Sequence, residues 1–437
     1  MNTIDAAHIF RALQYRNYRL YFIGQGVSLI GSWMQSVAMS WLVYRITRSA
    51  FLLGFVGFTS QIPSFFFGPL AGVLADRWNK HRILIATQTL LMIQAFILAF
   101  LVLMKVVQVW HILALSIFLG AVNAFDMPTR QSFVIQMVEK KADLGNAIAL
   151  NSMMFNGARL IGPSIAGLVV AAAGEGVCFF ANAVSFMAVI VALFAMKLPP
   201  QKLKKPDSHV FSDLKDGFSY AFGSLPIRTV ILLIALISLT GTSFQVLMPV
   251  FAKEILHGGP HTLGFLMGAV GIGAVAGAFF LASRRKIHGL EKVIPIAATV
   301  FSLGLISLSR SRFLPVSLVI MVVTGFGMML HMVSSNTLIQ TVVEEDKRGR
   351  VMSLYTMAFM GITPFGSLLS GSLASAIGVQ NSVLIGGFSC MLGALVFARQ
   401  IPRLRKAIHP IFVKKGILPP VASGIQTASE LTAPPES

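Results

Sequence analysis

Charged residues are scarce in this 437-residue sequence: they make up 12% of the chain, whereas hydrophobic residues make up 55%. Soluble domains carry about 25% charged residues, so this chain has too little charge to cover a water-facing surface. It has only two cysteines, which excludes a secreted domain held together by disulfides. A disordered chain is also excluded. The composition therefore predicts an all-α membrane protein.

Acidic residues are scarcer still, at 16 Asp and Glu against 35 Lys and Arg. The basic residues form short clusters between apolar runs rather than one basic face, so no nucleic-acid partner is expected. The sequence also lacks a phosphate-binding GxxxxGK[ST] motif, paired metal-binding cysteines and a nucleophile elbow. We therefore expect no enzyme activity, no metal ion and no cofactor.

Long charge-free windows predict the membrane spans, since a spanning helix needs about 20 apolar residues. The stretch 351–398 is long enough for two spans that divide near Gly378, and 146–172 is apolar except for Arg159. The other windows are 20–44, 49–75, 83–104, 106–125, 176–196, 229–252, 255–283, 293–309 and 313–343. The chain is thus predicted to have twelve transmembrane helices.

The distribution of basic residues predicts the orientation, because cytoplasmic loops are enriched in Lys and Arg. With the N-terminus inside, 28 of the 35 lie on the cytoplasmic side and six lie outside, so both termini are expected in the cytoplasm. The predicted segments are a cytoplasmic N-terminal segment 1–18, a six-helix half 19–197, a cytoplasmic central loop 198–226, a second six-helix half 227–398 and a partly disordered cytoplasmic tail 399–437.

Internal repetition supports the division into two halves. Five identities occur at a constant offset of 204 residues: Gln136 with Gln340, Gly145 with Gly349, Gly157 with Gly361, Gly167 with Gly371 and Gly174 with Gly378.

A charged loop after the second window carries a family resemblance. Residues 72–82 (GVLADRWNKHR) resemble the GxLaDRxGRR motif of the major facilitator superfamily. FDMPTRQSFV (125–134), NAIALNSMMFNGARLIGPSIAG (146–167) and RGRVMSLYTMAFMGITPFGSLLSG (348–371) resemble the branch that contains the enterobactin exporter, the transmembrane secretion effector family. The resemblance covers about residues 15–400 and implies a bacterial inner-membrane transporter.

The same resemblance assigns a gating role to the motif loop, which latches the two halves together when such a transporter faces outward. The residues concerned are Gly72, Asp76, Arg77 and Lys80, together with Arg348, Gly349 and Arg350 at the start of the eleventh predicted helix. The Asp76 carboxylate would face the positive N-terminus of that helix. Positive-inside anchoring of the loop is the alternative.

Two features are expected in the fifth predicted helix. Gly157, Gly162, Pro163 and Gly167 resemble a motif of antiporters and act either as a hinge or as a surface for close helix packing. Arg159 is the only charge within a predicted span, so it should face the bundle interior. It could pair with Asp126, hold an anionic substrate or bind a backbone carbonyl freed by Pro163.

Four helices line the midplane cavity in the superfamily, the first, fourth, seventh and tenth. The implied cavity residues are Gln25, Ser28, Ser32, Gln35, Ser36, Asn123, Arg159, Ser238, Thr242, Gln245, Thr324, Met328 and His331. Such polar stripes either line water or join helices through hydrogen bonds. The cavity would hold a small-molecule substrate.

Proton coupling is implied by the family, although no acidic residue lies near the middle of a span. The candidates are Asp126, which could titrate beside Arg159 or Lys80, and His331, whose ordinary pKa suits physiological cycling. A neutral histidine bonded within a helix interface is the alternative for His331.

Together these observations predict a monomeric secondary active transporter in the lipid bilayer, a proton-coupled exporter of small amphipathic compounds of drug or siderophore type. A lysolipid flippase or an importer on the same fold is an alternative. A non-transporting membrane sensor or assembly partner is an alternative of another class.

Overall fold

The computed structural model describes residues 10–197, 210–284 and 289–415, without the side chains of residues 69–70, 72–77, 210–215 and 414. The regular elements of these residues are all helical. The α-helices are α1 Arg16–Thr47, α2 Ala50–Arg77, α3 Lys80–Leu103, α4 Val109–Met137, α5 Leu144–Ala173, α6 Glu175–Ala195, α7 Val210–Gly223, α8 Leu225–Thr240, α9 Phe244–Val250, α10 Pro260–Ala282, α11 Leu290–Arg310, α12 Leu314–Val342, α13 Arg348–Thr356, α14 Thr363–Ile377 and α15 Val379–Lys414. Short 3₁₀ turns occupy Arg11–Gln14 and Lys141–Asp143, and π-helical turns occupy Phe251–Ile255 and Met357–Gly361.

Eleven helical segments of the described chain are long and apolar enough to cross a membrane. They are α2 to α6, α8 with α9, α10, α11, α12, α13 with α14, and α15. Helix α1 has 32 residues but falls outside this set, because several of its residues are polar. The chain is a multi-pass helical membrane protein.

The helices form two halves with matching turns. In the first half α1 packs on α5 and α6, and in the second half α11 packs on α12 and α15. Gly174 after α5 and Gly378 after α14 both have positive φ angles, of 82° and 86°, which favours glycine. The predicted break between two helices at Gly378 is confirmed, and Gly174, its partner at the 204-residue offset, has the same backbone conformation.

The two ends of the bundle are held by different polar contacts. At the end that carries residues 10 and 415, called the terminal end, Arg11 pairs with Asp143 at 2.6 Å, and the hydrogen bond from Tyr15 to Asp143 raises the pKa of the Tyr15 hydroxyl. At the opposite or far end, Arg45 pairs with Glu175 at 2.7 Å. These ion pairs join the two ends of α1 to the starts of α5 and α6 respectively.

Glycines bring the two halves together near the far end. A Cβ on Gly167 of α5 would lie 2.8 Å from the Cα of Gly264 in α10, and a Cβ on Gly54 of α2 would lie 2.8 Å from the Cα of Gly371 in α14. Only residues without a side chain allow helix axes to approach this closely. Gly167 and Gly371 are repeat partners, so the two contacts are equivalent.

The same helix pairs separate toward the terminal end. Along α5 the contact with α10 continues through Leu160, but a Cβ on Gly157 would meet no atom within 4 Å. Along α2 it continues to Phe65, which packs against Gly361, whereas Gly68 again has nothing within 4 Å. The described halves therefore touch at the far end and diverge toward the terminal end.

Two helices differ from their predicted windows. The window 229–252 is interrupted at Gly241–Ser243, where the Thr242 hydroxyl donates to the Ser238 carbonyl and α8 gives way to α9. The fourth span continues from 125 to Met137 through Pro128, because Asp126 is neutralised within the helix by Arg130. In addition, the predicted central loop contains α7, and α15 extends to Lys414.

The glycine contact predicts a position-dependent effect of one substitution. Gly167→Val should place side-chain carbons against the α10 backbone and lower stability by about 1–3 kcal/mol, the usual cost of overpacking. Gly157→Val on the same helix has open space and serves as the matched control. Thermal unfolding of the purified protein in detergent measures both, and equal melting temperatures for the two variants would contradict the packing role.

Candidate functional site

Three residues from different helices meet near the middle of the bundle. The Arg159 guanidinium of α5 lies over the Trp33 ring of α1, with 5.7 Å from its central carbon to the ring centroid. Its Nη2 atom lies 4.0 Å from the sulfur of Met328 in α12. Phe155 packs edge-on against Trp33 at 6.0 Å between centroids. Because α12 belongs to the second half, Arg159 contacts both halves.

A small pocket lies beside Met328 in the second half. Its lining includes Ser238, Thr242, Met328, His331, Tyr355 and Phe359. Thr242 comes from the break between α8 and α9, and Phe359 comes from the π-helical turn before α14. Interrupted helices and π turns are frequent where a membrane protein binds a ligand, so two irregularities of the backbone converge on this pocket.

Several polar atoms of this pocket lack partners. His331 is 4% exposed. Neither ring nitrogen makes a hydrogen bond of ordinary geometry, although a backbone polar group of Ile294 lies close to the ring. The Ser238 hydroxyl is likewise buried without a partner, whereas Tyr355 donates to the Met332 carbonyl at 3.1 Å. Buried polar groups are normally hydrogen-bonded, so His331 and Ser238 are available to a ligand or to water.

Asp126 lies in a separate network within the first half. The carboxylate is 1% exposed, accepts hydrogen bonds from Thr87 and Gln88, both at 2.8 Å, and pairs with Arg130 at 3.4 Å. The structure thus pairs Asp126 with Arg130 and does not bring it to Arg159. The sequence contained a signal for this pair, since residues four apart share a helix face.

The polar stripe of α1 divides between several environments. Gln35 accepts from Asn182 of α6 at 2.7 Å and donates to Gln94 of α3 at 3.0 Å, which is the interhelical alternative to cavity lining. Ser32 donates to the carbonyl of Ser28. Gln25 and Ser28 are buried, and Ser36 is exposed. This stripe therefore joins helices for much of its length.

The remaining expected cavity residues lie at various depths. Asn123 and Gln245 are half-buried. Thr324 is fully buried, donates to the Ile320 carbonyl and packs against Gly304 of α11. Met328 and His331 are the expected α12 residues that the structure brings to the pocket.

Part of the expected gating motif, at Gly72, Asp76 and Arg77, lies outside the residues whose side chains the structure describes. Lys80 begins α3. Arg348 pairs with Glu345 at 3.7 Å, and Arg350 pairs with Asp216 of α7 at 3.6 Å. Gly349 has open space around it.

The glycines of α5 serve different contacts. A Cβ on Gly162 would lie 2.6 Å from the Cβ of Trp33, so α1 and α5 are in close contact there. Pro163 is accommodated within a continuous helix, and its carbonyl lies against Gly264. Gly162 and Gly167 therefore pack against α1 and α10 respectively, while Gly157 is free.

One further contact between the halves was not expected from the sequence. The Tyr44 hydroxyl at the far end of α1 donates to the Glu254 carboxylate in the π turn after α9. Arg48 lies 5.9 Å from the Tyr44 ring centroid. Tyr355, Thr87 and Gln88 were also missed as site residues, since single hydroxyl or amide groups carry no distinctive sequence pattern.

The chain has matches to known proteins over nearly its whole length. A family model described as transmembrane secretion effector matches residues 8–415. The chain is 23% identical to the staphyloferrin A transporter of Staphylococcus aureus over 380 residues, which is 87% of this chain and 95% of that protein. It is 21% identical to macrolide efflux protein A of Streptococcus pyogenes over 394 residues, covering 88% and 96%. It is 25% identical to the multidrug efflux pump Tap of Mycobacterium tuberculosis, covering 88% and 91%.

Solved structures are also similar. A bacterial homologue of the human lysosomal transporter Spinster, inward-facing and unoccupied, gives a TM-score of 0.68 at 12% identity, covering 92% of this chain and 98% of that chain. A D-xylose–proton symporter gives 0.70 at 15% identity, covering 88% and 97%. These similarities show that the chain has the major facilitator fold.

The Tyr44–Glu254 hydrogen bond should help to hold the two halves together at the far end. Tyr44→Phe should raise the ratio of separated to touching far ends by at least about tenfold, because hydrogen bonds to charged groups contribute about 1.5–3 kcal/mol. Spin labels on cysteines introduced at the exposed positions Lys105 and Arg312, one in each half, measure the distribution of distances between the halves. The native Cys178 and Cys390 are fully buried, so they should not react with the label.

Tyr18→Phe is the matched control, since the Tyr18 hydroxyl donates to Ala147 within the first half. If Tyr44→Phe leaves the distance distribution as it is in the wild type, the bond does not hold the halves together.

Proposed function

Because this chain belongs to the transmembrane secretion effector family of the major facilitator superfamily, we propose that it exports small amphipathic compounds by alternating access. The named relatives carry a siderophore, macrolides or several drugs, and compounds of that type are the proposed substrates. The protein is a membrane transporter. We propose its class of substrate, its direction of transport and its coupling to protons.

The observation that carries the proposal is the uneven contact between the halves. Gly167 and Gly264 touch at the far end, as do Gly54 and Gly371, whereas Gly157 and Gly68 have open space on the same helices. Two halves whose described residues touch at the far end and separate toward the terminal end can exchange this state for its opposite by rocking about a midplane site. The far-end contacts form the closed gate of this state.

We propose twelve spans, with α1 as the first. At 1.5 Å per residue its 32 residues reach about 48 Å, more than the roughly 30 Å of hydrocarbon. Its polar residues Gln25, Ser28 and Gln35 are buried against other helices rather than turned to lipid. With twelve spans the termini share one side, and the excess of Lys and Arg places that side in the cytoplasm. The described state then faces inward.

A transport assay tests the proposal. Purified protein in liposomes with an imposed pH gradient is screened against a panel of amphipathic dyes and siderophores, with protein-free liposomes as the control. Uptake into inverted vesicles indicates export, whereas uptake only into right-side-out vesicles identifies an importer. If no compound moves faster than in protein-free liposomes, the chain is a non-transporting sensor or assembly partner.

We propose that the transporter works as a monomer. We also propose that Asp126 is the group that couples transport to protons. Its carboxylate is buried, and its partners Thr87, Gln88 and Arg130 lie in the same half. Protonation would remove the ion pair to Arg130 while leaving an oxygen to accept from Thr87. The contact of α3 with α4 would then change at a carboxyl group that is buried within the bundle, which favours a role in the cycle.

Asp126→Asn mimics the protonated carboxyl and keeps an oxygen acceptor. Its transport is expected to lose the acceleration by an imposed pH gradient while its substrate affinity remains within about twofold of the wild-type value. Glu139→Gln, which removes an exposed acid at the end of the same helix, is the control and should keep the acceleration. A pH profile of Asp126→Asn that follows the wild type would discard this role.

A further inference from the structure

We infer that the Arg159 guanidinium binds an anionic group, a carboxylate or a phosphate, on the transported amphiphile, with the Trp33 ring and the His331 pocket holding the rest of the molecule. This inference rests on the proposed function only in that the ligand is taken to be the transported compound. It assigns a charge class to the substrate, which family membership leaves open.

The guanidinium of Arg159 carries a positive charge within the bundle. Among the described residues no carboxylate lies within 4.0 Å of its guanidinium, and its polar contact is the Met328 sulfur, a weak acceptor. Asp126, the nearest acid expected from the sequence, is already occupied by Arg130. An arginine in the middle of a membrane bundle is normally paired. Because Arg159 lacks such a partner among the described residues, most of its N–H groups are available to an anion.

The surroundings of the Arg159 charge are aromatic. The central carbon of the guanidinium lies 5.7 Å from the centroid of the Trp33 ring, and Phe155 packs against the same ring. An arginine held against an aromatic ring keeps its edge free, and that edge fits a carboxylate or phosphate with two parallel hydrogen bonds. The apolar part of an amphiphile can then lie against Trp33 and Phe155.

A second polar position adjoins Arg159. Met328 both contacts Arg159 and lines the pocket that contains His331 and Ser238, so the two sites adjoin. The ring nitrogens of His331 and the hydroxyl of Ser238 are buried and make no hydrogen bond of ordinary geometry. A ligand whose anion lies on Arg159 can therefore place a neutral hydroxyl or amide group in this pocket.

A ligand bound to both Arg159 and the His331 pocket would join the two halves. Arg159 belongs to the first half, whereas Met328 and His331 belong to the second half. A ligand that contacts both sets senses the angle between the halves, because rocking changes the distance between its two ends. Only a ligand with different affinities for the two states can shift their populations, and this position provides that difference.

The experiment uses the full chain in phosphatidylcholine nanodiscs. The probes are dansylglycine, which carries a carboxylate, and dansylglycinamide, its neutral analogue, with binding measured by energy transfer from tryptophan. Arg159→Gln should weaken dansylglycine binding by about tenfold or more and change dansylglycinamide binding by less than about twofold. Arg159→Lys should retain part of the preference, because the charge remains without the planar fork. Arg312→Gln, at an exposed far-end position, is the control for loss of one positive charge.

Retained binding of dansylglycinamide by Arg159→Gln shows that the variant is folded. Equal losses for both probes would assign Arg159 a packing role and overturn the inference, as would unchanged dansylglycine affinity or an absence of binding to the wild type. Nanodiscs that contain phosphatidylglycerol separate two sources of the anion. Weaker dansylglycine binding there identifies a lipid headgroup competing for Arg159, and unchanged binding identifies a soluble compound.

Binding without transport separates this inference from the proposed function. If dansylglycine binds through Arg159 and no compound moves in liposomes, the site stands and the transport proposal fails. If transport occurs and Arg159→Gln binds both probes as the wild type does, the transport proposal stands and the site fails.

Discussion

The low dielectric of the membrane requires each polar group within the bundle to find a partner inside it. Asp126 meets this requirement with Thr87, Gln88 and Arg130, all from its own half. Gln35 meets it with Asn182 and Gln94. These networks make the first half a body with its own internal bonds. Such a body can move against the other half without exposing polar groups to lipid.

The contact between the halves has a different character, since it depends mainly on close backbone approach. Gly167 on Gly264 and Gly54 on Gly371 bring helix axes together without polar pairs, and Tyr44–Glu254 adds one hydrogen bond at the far end. The repeat relation between Gly167 and Gly371 gives the two contact lines matched geometry, as rocking about a central axis requires.

The middle of the bundle combines what these two arrangements leave unsatisfied. Arg159 has no acidic partner among the described residues, and neither ring nitrogen of His331 makes a hydrogen bond of ordinary geometry. The break at Gly241–Ser243 and the π turn at Met357–Gly361 lie close to the same pocket. Irregular backbone at membrane depth is tolerated where it lines a cavity. Unpartnered polar atoms and irregular helices therefore point to the same place.

The amino-acid sequence by itself was sufficient for eleven apolar spans, the break at Gly378, the repeat and the charge of Arg159 within a span. These properties follow from hydropathy and residue spacing along the chain. They can be read from the sequence because the bilayer requires each spanning helix to be apolar over about 20 residues. The tertiary structure alone decided that Asp126 pairs with Arg130, that Gln35 joins helices, and that His331 and Tyr355 line one pocket. Those outcomes depend on how each helix is rotated and which neighbour it meets, and rotation is set by packing between distant segments, which no local pattern records.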